Sequence, residues 1–460
     1  MATEQRSLIW QRFGLGARPG DLETSGPSPV ADLMAEVPTA TAPAALKDLP
    51  DSPSLFAVYL KQVAAKKAAA SMADLSSRME APPPPRAAPG TMMNPVRDAL
   101  LDEIAGRLKL ARDARFGFAE RLVLFWSNHF TVSASKQQVA VIAGGFEREA
   151  IRPHIAGRFH DMLEAVESHP AMLLYLDNER SMGEASKAGV RRGNGINENL
   201  AREILELHTV GVDAGYTQAD VTSFAKALTG WTVAGAKAVD TVPGSFQFRP
   251  QMHEPGAQRV FGRDYPEGGQ EQGQVILADL ASHKATAQHI AFKLVRHFIA
   301  DEPPKAAVAA VAAAFERSDG DLMAVYEALL KTDAAFAMPL TKLRPPVEFH
   351  LAALRALGAE AEPPRFMRTL ALMGQRLYRA PSPQGWSDDS KAWLAPDAIR
   401  TRLELSVQLA GRTREPKPLD RAKAILGPLL TDETATMISR AESSQQALAL
   451  LLMSPEFQRR

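Results

Sequence analysis

Three segments carry side chains whose type and spacing suit proton transfer. In "INENLAREILELHTVGV", residues 196–212, Asn199, Arg202, Glu203 and Glu206 share one stripe of a helix, within roughly a 100° arc at about 100° per residue. Leu200, Ala201, Ile204, Leu205, Leu207 and His208 occupy the rest of its girth. Two carboxylates three residues apart repel each other unless something positive intervenes. An arginine can do this (Arg202, or Arg148 or Arg152 from a neighbouring helix), and so can a metal ion or a proton shared through a raised pKa. The first solution is architecture; the others make Glu203 and Glu206, with Asn199, catalytic candidates. His208 lies opposite the stripe on a regular helix and joins it only where the helix end unwinds.

The second segment, "ERLVLFWSNHFTVS", is apolar nearly all round, so Arg121, Asn128 and His129 are expected to be buried or to line a cavity. They form either a hydrogen-bonded structural cluster or a base and ligand facing the cavity of Glu203 and Glu206. The third, "HIAFKLVRHFIADEPP", puts His289, Lys293, Arg296 and His297 on one helical face. That basic stripe either pairs with the acidic one, fixing the packing register, or lines a cleft for phosphate, sulfate or carboxylate groups. Arg202, Lys293 and His297 are therefore ligand-binding candidates. Three loop or element-end residues join them: His253 in "MHEPG", Trp231 at the end of a helical hairpin, and Trp386 in the stiff turn "PSPQGW". Trp386 either stacks on a ring of a ligand or plugs the core, and His253 reads equally as an isolated surface histidine.

Several chemistries are excluded. Cysteine is absent, which removes thiolate nucleophiles, Cys-ligated zinc, iron–sulfur clusters and covalently attached c-type haem. Serine-nucleophile, Walker and dinucleotide motifs are missing, and neither a Glu-x-x-His repeat nor a His-Glu-x-x-His occurs, so whether a metal or another cofactor binds stays open. Lys+Arg and Asp+Glu are balanced at 53 each, which offers no electrostatic case for nucleic acid or an anionic membrane. No segment reaches the roughly 20 apolar residues of a membrane span, and the opening residues lack a signal-peptide pattern. The expected location is the cytoplasm.

The elements that must position these groups are helical. Ala, Leu, Arg and Glu recur at i, i+3, i+4 spacing and alternating β-branched runs are scarce, which predicts an all-α protein. An N-terminal helical region (1–80), a Pro-rich loop (81–95, with "APPPPRAAPG") and a main helical domain (96–460) are expected, with a small β-hairpin insertion at about 241–265. The Gly-rich connector "SMGEASKAGVRRGNG", residues 181–195, should be flexible. Asn197 can cap the helix that follows and Gly211 can end it, while Thr217 with Asp220 forms a capping box for a second helix that stops at Gly230.

The run "NENLAREILELHTVGVDAGYTQADVTSFAKALTGWT" resembles the signature of a bacterial family known as domain of unknown function 1800. "RFGLGARPGD", "LVLFWSNHFTVS", "IAFKLVRHFIADEPP", "KLRPPVEF", "PSPQGWSDDSKAWLAP" and "LLMSPEFQRR" fit the same pattern and together span nearly the whole chain. The Pro-rich and Gly-rich stretches depart from it as loop variation. The resemblance implies a large helical domain without an agreed activity, often encoded beside an exported companion of alkaline-phosphatase-like or sulfatase-like fold. Two functional classes follow. One is an enzyme with a Glu/His/Arg/Asn cavity performing acid/base or hydrolytic chemistry on an anionic or polymeric substrate. The other is a non-enzymatic partner or escort of the companion, reaching the periplasm by co-export.

Overall fold

The structure, a computed structural model, describes residues 7–24, 28–78, 95–193, 195–236, 238 and 240–460. The Pro-rich stretch at 81–90 lies outside the described residues. The rest is all-α, with two short antiparallel strand pairs. Helix Lys284–Phe298 packs on Lys305–Arg317, which packs on Leu322–Leu330. Near the C-terminal end, Pro396–Ala410 packs on Ser444–Met453. One apolar core runs through the molecule: Phe13 lies 6.1 Å from Phe118 and 6.0 Å from Phe298 between ring centroids. Residues 9–59 and 96–457 thus contribute to a single buried cluster.

The strands depart in detail from a single hairpin at 241–265. β1 (Trp231–Val233) pairs with β2 (Phe246–Phe248), and β3 (Gln258–Val260) pairs with β4 (Arg263–Tyr265). The tight hairpin is β3–β4, turning through Phe261 and Gly262, both at positive φ. It does not stand clear of the helices, because β3 packs on helix Gln218–Ala227. The described residues of the Gly-rich connector are not all loop. It holds helix Lys187–Arg192, capped by the Ser186 hydroxyl and ended by Gly193 in the left-handed region. Gly183 lies so close to Glu254 that a Cβ there would stand 2.5 Å from the Glu254 Cα, and Glu254 accepts a hydrogen bond from the Ala185 N–H at 2.9 Å.

The helical hairpin at 197–231 follows its local signals. Thr217 and Asp220 form the reciprocal capping box, and Gly211 and Gly230 take φ of +84° and +86°. Asn197 accepts from the Asn199 N–H at 2.9 Å. The first helix then departs from regularity. After Asn199–Glu203 it widens into a π turn, Ile204–His208, and other π turns occupy Ile9–Phe13 and Glu147–Ile151. Each shifts the following side chains around the helix axis, and all three border buried polar groups.

Candidate functional site

The π turn changes the face on which His208 lies. His208 turns inward, fully buried, and donates from Nδ1 to Glu167 at 2.8 Å. Helix Phe118–His129 ends against it: the His129 Nε2–H donates to the His208 carbonyl at 3.1 Å. From helix Lys284–Phe298, the His289 Nε2–H donates to the Leu207 carbonyl at 3.1 Å. The His129 ring centroid stands 6.1 Å from that of His208 and 6.3 Å from that of His289. Carbonyl and carboxylate partners fix one nitrogen of each ring. The His129 Nδ1, His208 Nε2 and Glu167 Oε2 are sealed from solvent without partners among the described residues. Burial, reinforced by the positive charge of Lys293, holds His129 well below the usual histidine range and brings His289 down to about 4. Both rings are neutral at pH 7.

The acidic stripe divides. Glu206 faces outward and pairs with Arg202 at 3.5 Å; Arg202 also reaches Glu198 at 3.0 Å and Gln218 at 2.9 Å, fastening the two arms of the helical hairpin. Asn199 is exposed. Arg148 and Arg152 do not serve these carboxylates: Arg148 pairs with Glu103 at 2.9 Å, and Arg152 with Glu120 at 2.8 Å and Glu147 at 3.1 Å. Glu203 is half-buried beside His208 and has neither an ion pair nor a hydrogen bond among the described residues. Desolvation pushes its carboxyl above the usual range against the pull of His208.

Asn128, although adjacent to His129, faces elsewhere. Its amide clamps the backbone of the "PSPQGW" turn, Nδ2 donating to the Trp386 carbonyl at 2.9 Å and Oδ1 accepting the Trp386 N–H at 2.7 Å. That clamp forms one wall of a cavity of about 110 Å³ lined also by Ser127, Glu147, His297, Glu348 and Asp388. Trp386, part-exposed, and the buried Trp393 stand 6.0 Å apart between ring centroids and give it an aromatic side. Here the His297 Nδ1–H donates to Asp388 at 2.7 Å, while Nε2 lies 3.6 Å from Glu348 and has no hydrogen-bond partner among the described residues. Burial raises the Asp388 carboxyl, but His297, Lys342 and Lys293 together hold it below the ordinary range. Glu348 is the shared counter-charge of two buried arginines, Arg121 at 3.3 Å and Arg460 at 2.9 Å. Arg121 is thereby the buried partner of Glu348 and is not itself among the residues that line the cavity.

The basic stripe therefore does not pair with the acidic one. His289 serves the π turn, His297 serves Asp388, and Arg296 approaches Asp389 at 4.0 Å. Lys293, one helical turn from each histidine, is part-exposed and donates no hydrogen bond among the described residues. His253, for which a surface position was one of two readings, is buried and donates from Nδ1 to the Thr229 carbonyl at 3.0 Å; Trp231 is core, 5.4 Å from Phe246 between centroids. Both hold the strands to the helices, away from either polar centre. Asp388, Glu348 and Glu167 escaped sequence reasoning. Asp388 and Glu348 lie in "PSPQGWSDDSKAWLAP" and "KLRPPVEF", stretches that carry the family resemblance without marking either residue as a site; Glu167 is not singled out. Among the described residues no group of three or more His, Asp or Glu side chains could hold a metal ion.

A family model matches residues 8–459, from the first core residue to the penultimate arginine. The chain belongs to the family described as protein of unknown function (DUF1800). In this DUF1800 protein the stretches "LVLFWSNHF", "IAFKLVRHF", "RPPVEF" and "PSPQGWSDDS", far apart in the chain, supply Asn128, His297, Glu348 and Asp388 to one cavity. No curated protein and no solved structure matches it.

Proposed function

We propose that the chain is an acid–base enzyme acting in the Trp386 cavity, with His297 transferring the proton. What carries this reading is the orientation of His297: Nδ1 is committed to Asp388 at 2.7 Å, while Nε2, 3.6 Å from the Glu348 carboxylate, has no hydrogen-bond partner among the described residues and belongs to the cavity wall. A carboxylate on one nitrogen selects the tautomer, holds the ring and stabilises the imidazolium formed when the other nitrogen takes a proton. Asp388 is a positioning residue in this scheme, and Asn128 shapes the wall by clamping Trp386. A hydrolytic step suits the arrangement: a water in the cavity gives its proton to Nε2 as its oxygen attacks the substrate, and the imidazolium returns the proton to the leaving group. The aromatic side formed by Trp386 and Trp393 favours a substrate with a flat or ring-bearing portion.

The experiment compares wild type, His297→Gln and Asp388→Asn on chromogenic acetate, phosphate and sulfate esters. Loss of an acid–base group lowers kcat by about 10²- to 10⁴-fold. The expected result is that loss for His297→Gln, and for Asp388→Asn a smaller loss with an altered pH profile, both proteins remaining folded. Turnover no faster in wild type than in His297→Gln on every ester overturns the proposal.

A further inference from the structure

Tyr378 holds an unused hydrogen. It lines the Trp386 cavity together with Arg107 from helix Pro95–Asp113. The Arg107 Nη1–H donates to the Tyr378 hydroxyl oxygen at 2.7 Å, and the guanidinium carbon stands 5.2 Å from the centre of the tyrosine ring. A phenol whose oxygen already accepts keeps its own hydrogen to give, and Tyr378 donates it to no acceptor among the described residues. Tyr265, by contrast, donates to Asp279 at 2.7 Å, and Tyr326, which accepts from Trp126 at 2.7 Å, lies outside this cavity. The backbone marks the same residue. Tyr378 has φ +55°, in the left-handed region that a bulky side chain adopts only where its surroundings over-determine it. Two hydrogen bonds hold the segment there: the Ala134 N–H donates to the Tyr378 carbonyl at 2.7 Å, and the Ser133 hydroxyl to the Ala380 carbonyl at 3.1 Å. Arg107 in turn is fixed by Glu147, which also accepts from Arg152, itself paired with Glu120. These two arginines and two carboxylates cancel, so this end of the cavity offers a polarised hydrogen-bond donor rather than a free cation.

We infer that Tyr378 is a further catalytic residue, giving its hydroxyl hydrogen bond to the oxygen that turns negative during hydrolysis, and that the substrate is a neutral carboxylic ester. The inference rests on the acid–base reading of His297. A water oxygen attacks the carbonyl carbon and gives one proton to the His297 Nε2. The C=O π pair moves onto its oxygen, which the Tyr378 O–H stabilises while keeping its hydrogen. The pair then returns, the bond to the alcohol oxygen breaks, and the imidazolium gives its proton to that oxygen. Carboxylic acid and alcohol are released, and no oxidant or reductant is involved. A donor that meets a developing charge lowers the barrier because that charge is absent from the ground state. Arg107 is the positioning residue, orienting the hydroxyl and polarising it. Burial keeps the phenol protonated, against the pull of Arg107. The substrate class follows from charge. Arg107 is the sole lysine or arginine among the described lining residues, beside the carboxylates of Glu147, Glu348 and Asp388. A phosphate or sulfate monoester would bring its own negative charge and meet no unpaired cation; a carboxylic ester brings none.

The test compares wild type, Tyr378→Phe and His297→Gln on p-nitrophenyl acetate and p-nitrophenyl phosphate. It also follows, by tryptophan quenching, the binding of phenyl trifluoromethyl ketone, whose hydrate presents a tetrahedral carbon bearing hydroxyl oxygens. Tyr378→Phe keeps the ring and removes only the hydroxyl. Its kcat on the acetate should fall about 10²- to 10³-fold, with KM unchanged and the His297 limb of the pH profile intact. Its affinity for the ketone should be about tenfold weaker. Wild type should turn over the acetate and leave the phosphate at background. A folded Tyr378→Phe with wild-type kcat and wild-type ketone affinity overturns the role of Tyr378, and His297 stands if His297→Gln alone has lost activity. Equal acetate turnover in wild type and His297→Gln strikes His297 instead, while weaker ketone binding by Tyr378→Phe then still upholds Tyr378 as the donor. Phosphate turned over as fast as acetate by wild type overturns the substrate class without recourse to any variant.

Discussion

Glu203 and Glu348 show how two buried or half-buried carboxylates differ by their neighbours alone. Glu348 neutralises Arg121 and Arg460, both sealed from solvent. Glu348→Gln leaves two buried cations without a counter-charge, and breaking a buried pair in this way costs about 3–5 kcal/mol. Urea unfolding at pH 7 should show that loss with an unchanged m-value. Glu203 has no such partner, and its folded pKa is raised, so the native state binds its proton more tightly than the unfolded chain does. Its ionisation therefore costs stability as pH rises through the carboxylate range and up to the folded value. Glu203→Gln removes that cost: its melting temperature should match wild type at pH 4 and exceed it at pH 7. A lower melting temperature at pH 7 would mean that an ion pair holds Glu203 after all.

At the scale of elements, the turn at 381–386 and the helical hairpin at 197–231 are set by different forces. Gly385 has φ +81°, and a Cβ on it would stand 2.5 Å from the Asn128 carbonyl oxygen and 2.7 Å from its Oδ1. Gly385→Ala must displace the Asn128 clamp, and a strained backbone of this kind costs about 1–3 kcal/mol. The expected readout is a lowered melting temperature together with a red-shifted tryptophan emission, because Trp386 loses its hold on the wall. Thr217→Ala removes only a cap, worth about 1 kcal/mol, and should leave the cavity and its fluorescence unaltered. The hairpin was legible in the sequence because capping boxes and left-handed glycines act within a few residues. The π turn at Ile204–His208 was not: its widened hydrogen bonding is held by Glu167, His129 and His289 from three other helices, none of which a local pattern contains.

The whole molecule buries histidines that remain neutral: His129 well below the usual range, His289 at about 4 and His350 at about 3. The unfolded chain takes up protons at these positions near pH 6.5, whereas the folded chain does so only at lower pH. Stability is therefore complete above about pH 6.5 and is lost as pH falls towards 4, by about 1.4 kcal/mol per pH unit for each histidine. Melting temperature against pH should fall steeply across that window, and His350→Phe should make the fall shallower. A flat profile from pH 6.5 to 4.5 would show that these rings are not held neutral.

The helical class, the capped hairpin, a small strand-bearing insertion near 241–265 and the family followed from the sequence, because periodicity, capping and motif runs are local or linear properties. The tertiary structure decided which candidates meet. Asn199 went to solvent, Arg202 and Glu206 to part-buried ion pairs on the helical hairpin, and His253 and Trp231 to the packing beneath the strands. His129 and Asn128, neighbours in the chain, went to different polar centres. A helix advances about 100° per residue, so adjacent side chains point apart, and what each one meets depends on which elements pack on that side. Asp388 became the partner of His297 across 91 positions of sequence because the Asn128 clamp holds the turn at 381–386 against the end of a distant helix. Pairings of that kind are fixed by burial and by the need to satisfy polar groups away from water, which only the assembled core imposes.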